Sequence, residues 1–357
     1  MLKPAVLSSN TAKTSFLKLW TNRYKLDTYG LISSCTKADL INVIEEKGRQ
    51  KTVARALRWI RISSELAGLK TSSLFSYVPN VVSLEDSKKI AVVVEQIYTE
   101  LLDIYQQQPL SSDWLDLAAA LNNPHSVSAS YQKATAIDLP AIEQIAIAVE
   151  PLVLKLQEQH LACQDRRAIG FMSTQFHFST QILLSNLKPV EQVTLKPYLQ
   201  FIEEQVCIPW QRICAAANRQ PMGSSVLKAV ETMLPQSEDI ADDTFRQAVS
   251  RFSLHRSRRG VLTQPDVAAS FVRDINMFQA YLWLCVLEDS MSSVESELLP
   301  LCVTVFPAIS VDWQLVDVSV DIMIEYIYQR LDAEYIPLID KYLQAMKRLF
   351  GKAVPHS

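Results

Sequence analysis

The chain has 357 residues, 48% hydrophobic and 20% charged, which is enough apolar length to bury one large or two ordinary cores and too apolar for a chain that stays disordered. Only 7 residues are glycine, and positive-φ turns and phosphate-cradling loops need glycine; no G-x-G-x-x-G or P-loop can be assembled, which excludes a Rossmann dinucleotide enzyme, a P-loop nucleotidase and a kinase, and argues against a hairpin-rich β protein. The net charge of −3 is unevenly spread: the first 61 residues hold 12 Lys and Arg against 4 Asp and Glu, a net of +8 that leaves −11 on the remainder.

Residues 1–26 contain no acid and read as a basic first helix; Arg23 is their one arginine, too few for an organelle transit segment. Residues 38–67 read as a helix or helix pair, with Leu40, Val43, Ile44, Ala54, Leu57 and Ile62 as apolar positions and Gly48 as a break. Lys51, Arg55 and Arg58 fall on one face of it at i, i+4, i+7, with Trp59 adjacent and Arg61 near. Ser83 precedes a helix over 84–107 that Pro109 stops, and a short helix over 113–121 ends at Asn122-Asn-Pro124. A polar connector follows.

Asp138 with Pro140 opens the next helix. Pro151 kinks or breaks it, and a long helix, a bundle spine, is expected to run on to about 187. Helices over 189–218, 224–234 and 241–252 follow, with Pro197 and Pro209 as starts or kinks. Ser253–Gly260 reads as a basic loop, and Thr263 with Pro265 starts a helix reaching 289. Ser292 with Glu295 reads as a capping box for a helix that Pro307 ends. Residues 311–330 alternate in part like a strand but are read as helix, because no partner strand is evident; a last helix over 332–350 is expected to bend at Pro337. No repeat of fixed period stands out.

The expected fold is therefore all-α, a multi-helix bundle with scope for two helical subdomains around a long central helix. Its expected parts are a basic helical region over 1–122, a connector over 123–137 and an acidic bundle over 138–350, with a weaker boundary at 219–240. Six dispersed cysteines without C-x-x-C fit reduced core thiols, and no apolar run reaches a membrane span, so a cytoplasmic protein is expected.

Five constellations carry candidate chemistry. Glu238-Asp-Ile-Ala-Asp242-Asp243 loosely matches the acid-rich pattern by which helical isoprenoid synthases hold Mg²⁺ and a diphosphate, though a helix dipole favours acids in a first turn anyway. The cluster Arg251, His255, Arg256, Arg258 and Arg259 suits a phosphate or an acidic surface. The stripe Lys51, Arg55, Arg58, beside Trp59, suits a protein partner or an anionic lipid surface, so peripheral membrane contact stays open; nucleic acid is disfavoured because the rest of the chain would repel it. His177, between Phe176 and Phe178, could ligate a tetrapyrrole metal, while His160 and Cys163 lie too far along the expected spine to share it. The stripe Asp317, Asp321, Glu325 reads as solvated or as a dock for a basic surface. The sequence offers no H-E-x-x-H, no G-x-S-x-G and no Glu-x-x-His pair, so neither a resident cofactor nor a metal is expected.

The stretch Phe171-Met-Ser-Thr-Gln-Phe-His-Phe-Ser-Thr-Gln-Ile-Leu-Leu184, continued by Leu187-Lys-Pro-Val-Glu-Gln192 and Ile208-Pro-Trp-Gln-Arg-Ile-Cys-Ala215, resembles conserved all-helical proteins of cyanobacteria that carry no assigned activity. Phe271-Val-Arg-Asp-Ile-Asn-Met-Phe-Gln-Ala-Tyr281 is similar to a helix of phycobiliproteins, without that family's chromophore cysteine context. These likenesses imply a photosynthetic bacterial setting and no functional residue.

The expected function is a non-catalytic interaction or regulatory protein that docks an anionic or protein partner through its basic N-terminal face, with Lys51, Arg55, Arg58, Arg256, Arg258 and Arg259 as contacts. One alternative is a binder of a tetrapyrrole or other hydrophobic ligand near His177. The other is a Mg²⁺-dependent helical enzyme acting on a diphosphate through Asp239, Asp242 and the 251–259 arginines.

Overall fold

A computed structural model describes residues 36–76, 84–108, 142–162 and 167–353, together with Phe16, Leu19, Trp20 and Tyr24. The fold is all-α, as composition and periodicity predict, and the described residues add only one two-residue antiparallel ribbon. The short helix expected over 113–121, the connector over 123–137 and the helix start at Asp138 lie outside the described residues. The chain divides into two compact units. One comprises residues 24–162 and 171–206; the other comprises 1–23, 163–170 and 207–357.

The first unit opens with α1 (Lys37–Ile44) and α2 (Glu46–Leu74). Thr36 caps α1 reciprocally: its Oγ1 accepts the Asp39 N–H at 3.2 Å, and Asp39 Oδ2 accepts the Thr36 N–H at 3.0 Å. The expected break at Gly48 falls instead at Glu45, whose ψ of 153° is extended. Gly48 is what lets the corner close, because a Cβ there would lie 1.6 Å from the Asn42 carbonyl oxygen. Arg49 holds the same corner. Its buried guanidinium donates to the Ile44 and Gln108 carbonyls, and its Nε to Gln106 O at 3.3 Å, so it satisfies carbonyls at the ends of α1 and of α3 (Leu84–Gln107).

α2 packs along α3, and its buried side is mostly small or polar: Thr52, Ala56, Ser63, Ala67 and Gly68 are buried together with Val53 and Ile60. Small side chains let two helix backbones approach closely, and at Gly68 an added Cβ would meet Ser87 Oγ at 2.5 Å. The reading of Ala54, Leu57 and Ile62 as inward-facing is thereby corrected, since all three point to solvent.

α4 (Ile142–Ala162) packs on α3 and runs through Pro151 without stopping there. The expected spine to 187 is not one helix: α4 ends at Ala162 and α5 (Arg167–Ser185) is a separate element. Next comes α6 (Pro189–Cys207), with Pro197 inside it. Buried tyrosines stitch these helices together. Tyr98 Oη lies 2.7 Å from Thr180 Oγ1, and the Tyr198 hydroxyl donates to Gln108 Oε1 at 3.0 Å.

The second unit contains α7 (Trp210–Arg219), α8 (Ser225–Met233), α9 (Ser237–Arg251), α10 (Pro265–Glu288), α11 (Leu299–Ala308), α12 (Trp313–Arg330) and α13 (Ile336–Lys352). Ile208 and Pro209 separate α6 from α7, so Cys207 and Cys214 stand on different helices. The central helix of this unit is α10. Every residue from Ile275 to Leu287 is buried, and α7, α8, α9, α12 and α13 pack on it. A helix apolar all round is a core helix, and this run is apolar apart from Asn276 and Gln279.

Three boundary expectations are corrected in this unit. The Ser292–Glu295 capping box is absent; the Ser292 N–H donates to Ser290 Oγ at 3.2 Å, and a wide turn over Val294–Leu298 leads into α11. Pro307 lies within α11. Pro337 stands in the first turn of α13, where the missing N–H costs nothing, so it starts the helix and does not bend it. The basic loop contains the ribbon of β1 (Arg256–Ser257) and β2 (Gly260–Val261).

Candidate functional site

The outer face of α2 is the most distinctive surface of the first unit. Ile60 and Val53 are buried among the small residues of α2, whereas Leu57, Ile62, Leu66 and Leu69 are 43%, 45%, 44% and 56% exposed. Isolated exposed aliphatics are ordinary; Ile62, Leu66 and Leu69 fall within about 60° of one another around the helix and form a patch, while Leu57 points to the opposite flank. Lys51 and Arg58 are exposed on the same side as the patch, and Arg61, Glu65 and Lys70 are exposed to its flanks. Arg61 Nε pairs with Glu65 at 3.1 Å, while Lys70 Nζ stands 5.6 Å from the centre of the Phe178 ring.

An open groove of about 440 Å³ runs between α2 and α3 beneath this face. Leu69, Ala91 and Val92 supply apolar walls, and Val92 is itself 53% exposed. Arg61, Glu65, Lys88 and Glu95 form a charged margin of mixed sign. Such a groove can accept the apolar side of an amphipathic segment.

Of the stripe Lys51, Arg55, Arg58, the structure leaves the first and third exposed and turns the second inward. Arg55 Nη1 lies 2.6 Å from Glu191 Oε2, and that carboxylate is buried. Thr52 Oγ1 donates to the other oxygen at 3.3 Å, and the Lys188 N–H to Oε2 at 2.9 Å. Arg55 thus neutralises a buried acid.

The second basic set is in the second unit. Arg256 and Arg258 are exposed on the ribbon; Arg259 is half-buried and its Nη1 donates to Ser270 Oγ at 2.8 Å. His255 beside them is held below the usual histidine range by burial, which outweighs the attraction of Asp312.

His177 is buried on α5, with Nδ1 3.1 Å from Glu203 Oε2. Its Nε2 has no hydrogen-bond partner among the described residues. The side chains of His160 and Cys163 lie outside the described residues. His177 does not line the α2–α3 groove.

The acid-rich start of α9 stands away from Arg251 at the other end of the helix. Asp239 and Arg251 lie 12 residues apart on one helix, about 18 Å at 1.5 Å per residue. Asp243 is engaged by Arg330 and Arg246, and those hydrogen bonds outweigh its partial burial and hold its carboxyl below the ordinary range. On α12, Asp321 Oδ2 pairs with Lys347 Nζ at 3.0 Å, so part of the acidic stripe is answered by α13. Burial and the nearby Asp321 charge push the Asp317 carboxyl up. Among the described residues no three His, Cys, Asp or Glu side chains converge as a metal site would require.

No helix among the described residues is long and apolar enough to cross a membrane. Comparison with protein-family models, with curated proteins and with solved structures found no match.

Proposed function

We propose that the protein is a non-catalytic helical adaptor of regulatory type, working in the cytoplasm, whose α2 face and α2–α3 groove bind an acidic amphipathic helix of a protein partner. The observation that carries this reading is the exposed aliphatic group Ile62, Leu66 and Leu69 on α2, a helix whose buried side is mostly small or polar. The aliphatics supply burial on binding, and Lys51, Arg58 and Lys70 supply the complementary charge that steers and orients an acidic partner. Arg55 belongs to the scaffold beneath the face and is not a contact in this reading. Neither His177 nor the acids of α9 contributes to it.

The test is affinity purification from the native host at low salt, followed by native mass spectrometry. It compares the native chain with two variants, Lys51→Glu/Arg58→Glu and Leu66→Ser/Leu69→Ser. A protein that co-purifies with the native chain, dissociates at high salt and is lost from both variants supports the reading, because charge-driven contacts fade as salt shortens the Debye length. Retention by both variants, or no stoichiometric partner at all, refutes it.

A further inference from the structure

We infer that the Arg256–Val261 ribbon is an anchor for the surface of an anionic lipid bilayer, independent of the α2 face. The ribbon's alternation sets two sides apart. Leu254, Arg256 and Arg258 are exposed, while Ser257 between the two arginines is buried. Arg256 pairs in register with Val261, which is 37% exposed, so a guanidinium and an aliphatic side chain stand side by side on the outer face. Leu254 is 94% exposed. Residues 251–261 contain four arginines and no acid. The acid that faces His255, Asp312, is occupied in capping α12, with Oδ1 accepting the Gln314 N–H at 2.9 Å.

This projection is rigidly supported. The Arg258 N–H donates to Ile309 O at 2.9 Å, and Ser257 Oγ donates to Gly260 O at 3.2 Å. Gly260 adopts a φ of 130°, a backbone state that side chains rarely adopt, so the turn depends on glycine. Behind the ribbon, Ala248, Leu262, Val267 and Leu315 form a buried cluster that fixes its base. A pre-ordered ribbon loses little entropy when it docks.

The chemistry selects among anions. Guanidinium groups pair with phosphate oxygens, which lipid headgroups and nucleic acids both offer. A nucleic-acid site would add exposed aromatic side chains on which bases stack; of residues 251–261, Phe252 packs against the buried cluster and His255 is half-buried. A leucine this exposed beside cations instead suits an interface with phosphate at one depth and acyl chains just below it. Each arginine near an anionic leaflet strengthens binding by about fivefold, so a few suffice for reversible attachment.

The experiment is vesicle co-sedimentation of the full chain with phosphatidylcholine alone and with phosphatidylcholine containing phosphatidylglycerol. Heparin serves as a soluble polyanion control, and circular dichroism confirms that each variant is folded. The native chain is expected to sediment with the anionic vesicles only, and less so as salt rises. Arg256→Glu/Arg258→Glu should weaken this by at least about tenfold. Leu254→Ser should weaken it severalfold while leaving heparin binding unchanged, because only the lipid contact uses the aliphatic group. Equal binding to both vesicle types, no binding, or a native-like result for either variant would overturn the inference. Heparin binding without vesicle binding would reassign the ribbon to a soluble polyanion.

Discussion

Glu191 shows how one buried charge organises its surroundings. Its carboxylate sits in the protein interior and receives Arg55, Thr52 and the Lys188 N–H, so its charge is met from three directions. Breaking a buried pair from one side leaves an uncompensated ion, which costs more than the pair itself contributes. Arg55→Met should therefore lower stability by about 2–3 kcal/mol in urea denaturation, tempered by the partial exposure of the arginine. Adding Glu191→Gln to that variant should recover part of the loss, because the orphaned charge is gone. If Arg55→Met instead costs nothing, the arginine is free to serve as a contact. The tyrosines give a second prediction at this scale. Burial, only partly offset by the Thr194 hydroxyl, pushes Tyr105 up to about 12, and burial also raises Tyr98, Tyr198 and Tyr281. Their neutral forms are the folded forms. The associated stability is complete below the unfolded value near 10 and is lost as pH rises through the folded values. Tyrosinate absorbance should consequently appear late and together with loss of helical circular dichroism; a smooth titration near pH 10 in the folded protein would contradict this.

Helix α2 decides the character of the first unit, and its packing depends on glycine at two points. At Gly68 an added Cβ meets Ser87 Oγ at 2.5 Å and Gln175 Nε2 at 3.2 Å, and Gln175 Nε2 donates to Ser87 O at 2.9 Å. Gly68→Ala should push this polar pair apart and destabilise by about 1–3 kcal/mol, as overpacking does. Gly68→Ala/Ser87→Ala should then lie nearer the native stability than the two single changes together imply, a coupling that a double-mutant cycle measures. At Gly48 the obstruction is the backbone carbonyl of Asn42, so Gly48→Ala should be worse than Gly68→Ala. The existence of α2 is legible from its sequence; its orientation is not. Period 3.6 places Ile62, Leu66 and Leu69 on one flank, Leu57 on the opposite flank, and Thr52, Ala56, Ser63 and Ala67 on the arc between them. Hydrophobicity alone turns the larger residues inward. Close approach to α3 rewards the small ones instead, and that reward is a property of the pair of helices.

Across the whole molecule, the described cysteines provide a reporter of one unit. Cys207, Cys214, Cys285 and Cys302 are all buried and all belong to the second unit. Burial raises Cys285 to about 11 and Cys302 well above the ordinary thiol range, which suppresses the reactive thiolate. These four thiols should resist an aqueous thiol reagent under native conditions and react as the second unit unfolds, as peptide mapping of the labelled chain would read. Fast native labelling at Cys285 or Cys302 would mean that α10 and α11 open readily.

The all-α fold class and most of the helices are legible in the sequence. Scarce glycine, persistent 3.6-residue periodicity and proline punctuation are local properties, so α3, α9, α10 and α12 can be read nearly to their ends. The sequence also locates the basic residues. Only the tertiary structure decided which of them are surface. Arg55 and Arg49 turn inward because a buried carboxylate and a set of helix-end carbonyls await them from elements far along the chain. Lys51, Arg58, Arg256 and Arg258 stay outside. Likewise, α10 is the central helix of the second unit and the expected run to 187 is two helices, because centrality depends on how many neighbours a helix can bury itself against, a quantity that does not exist until the helices meet.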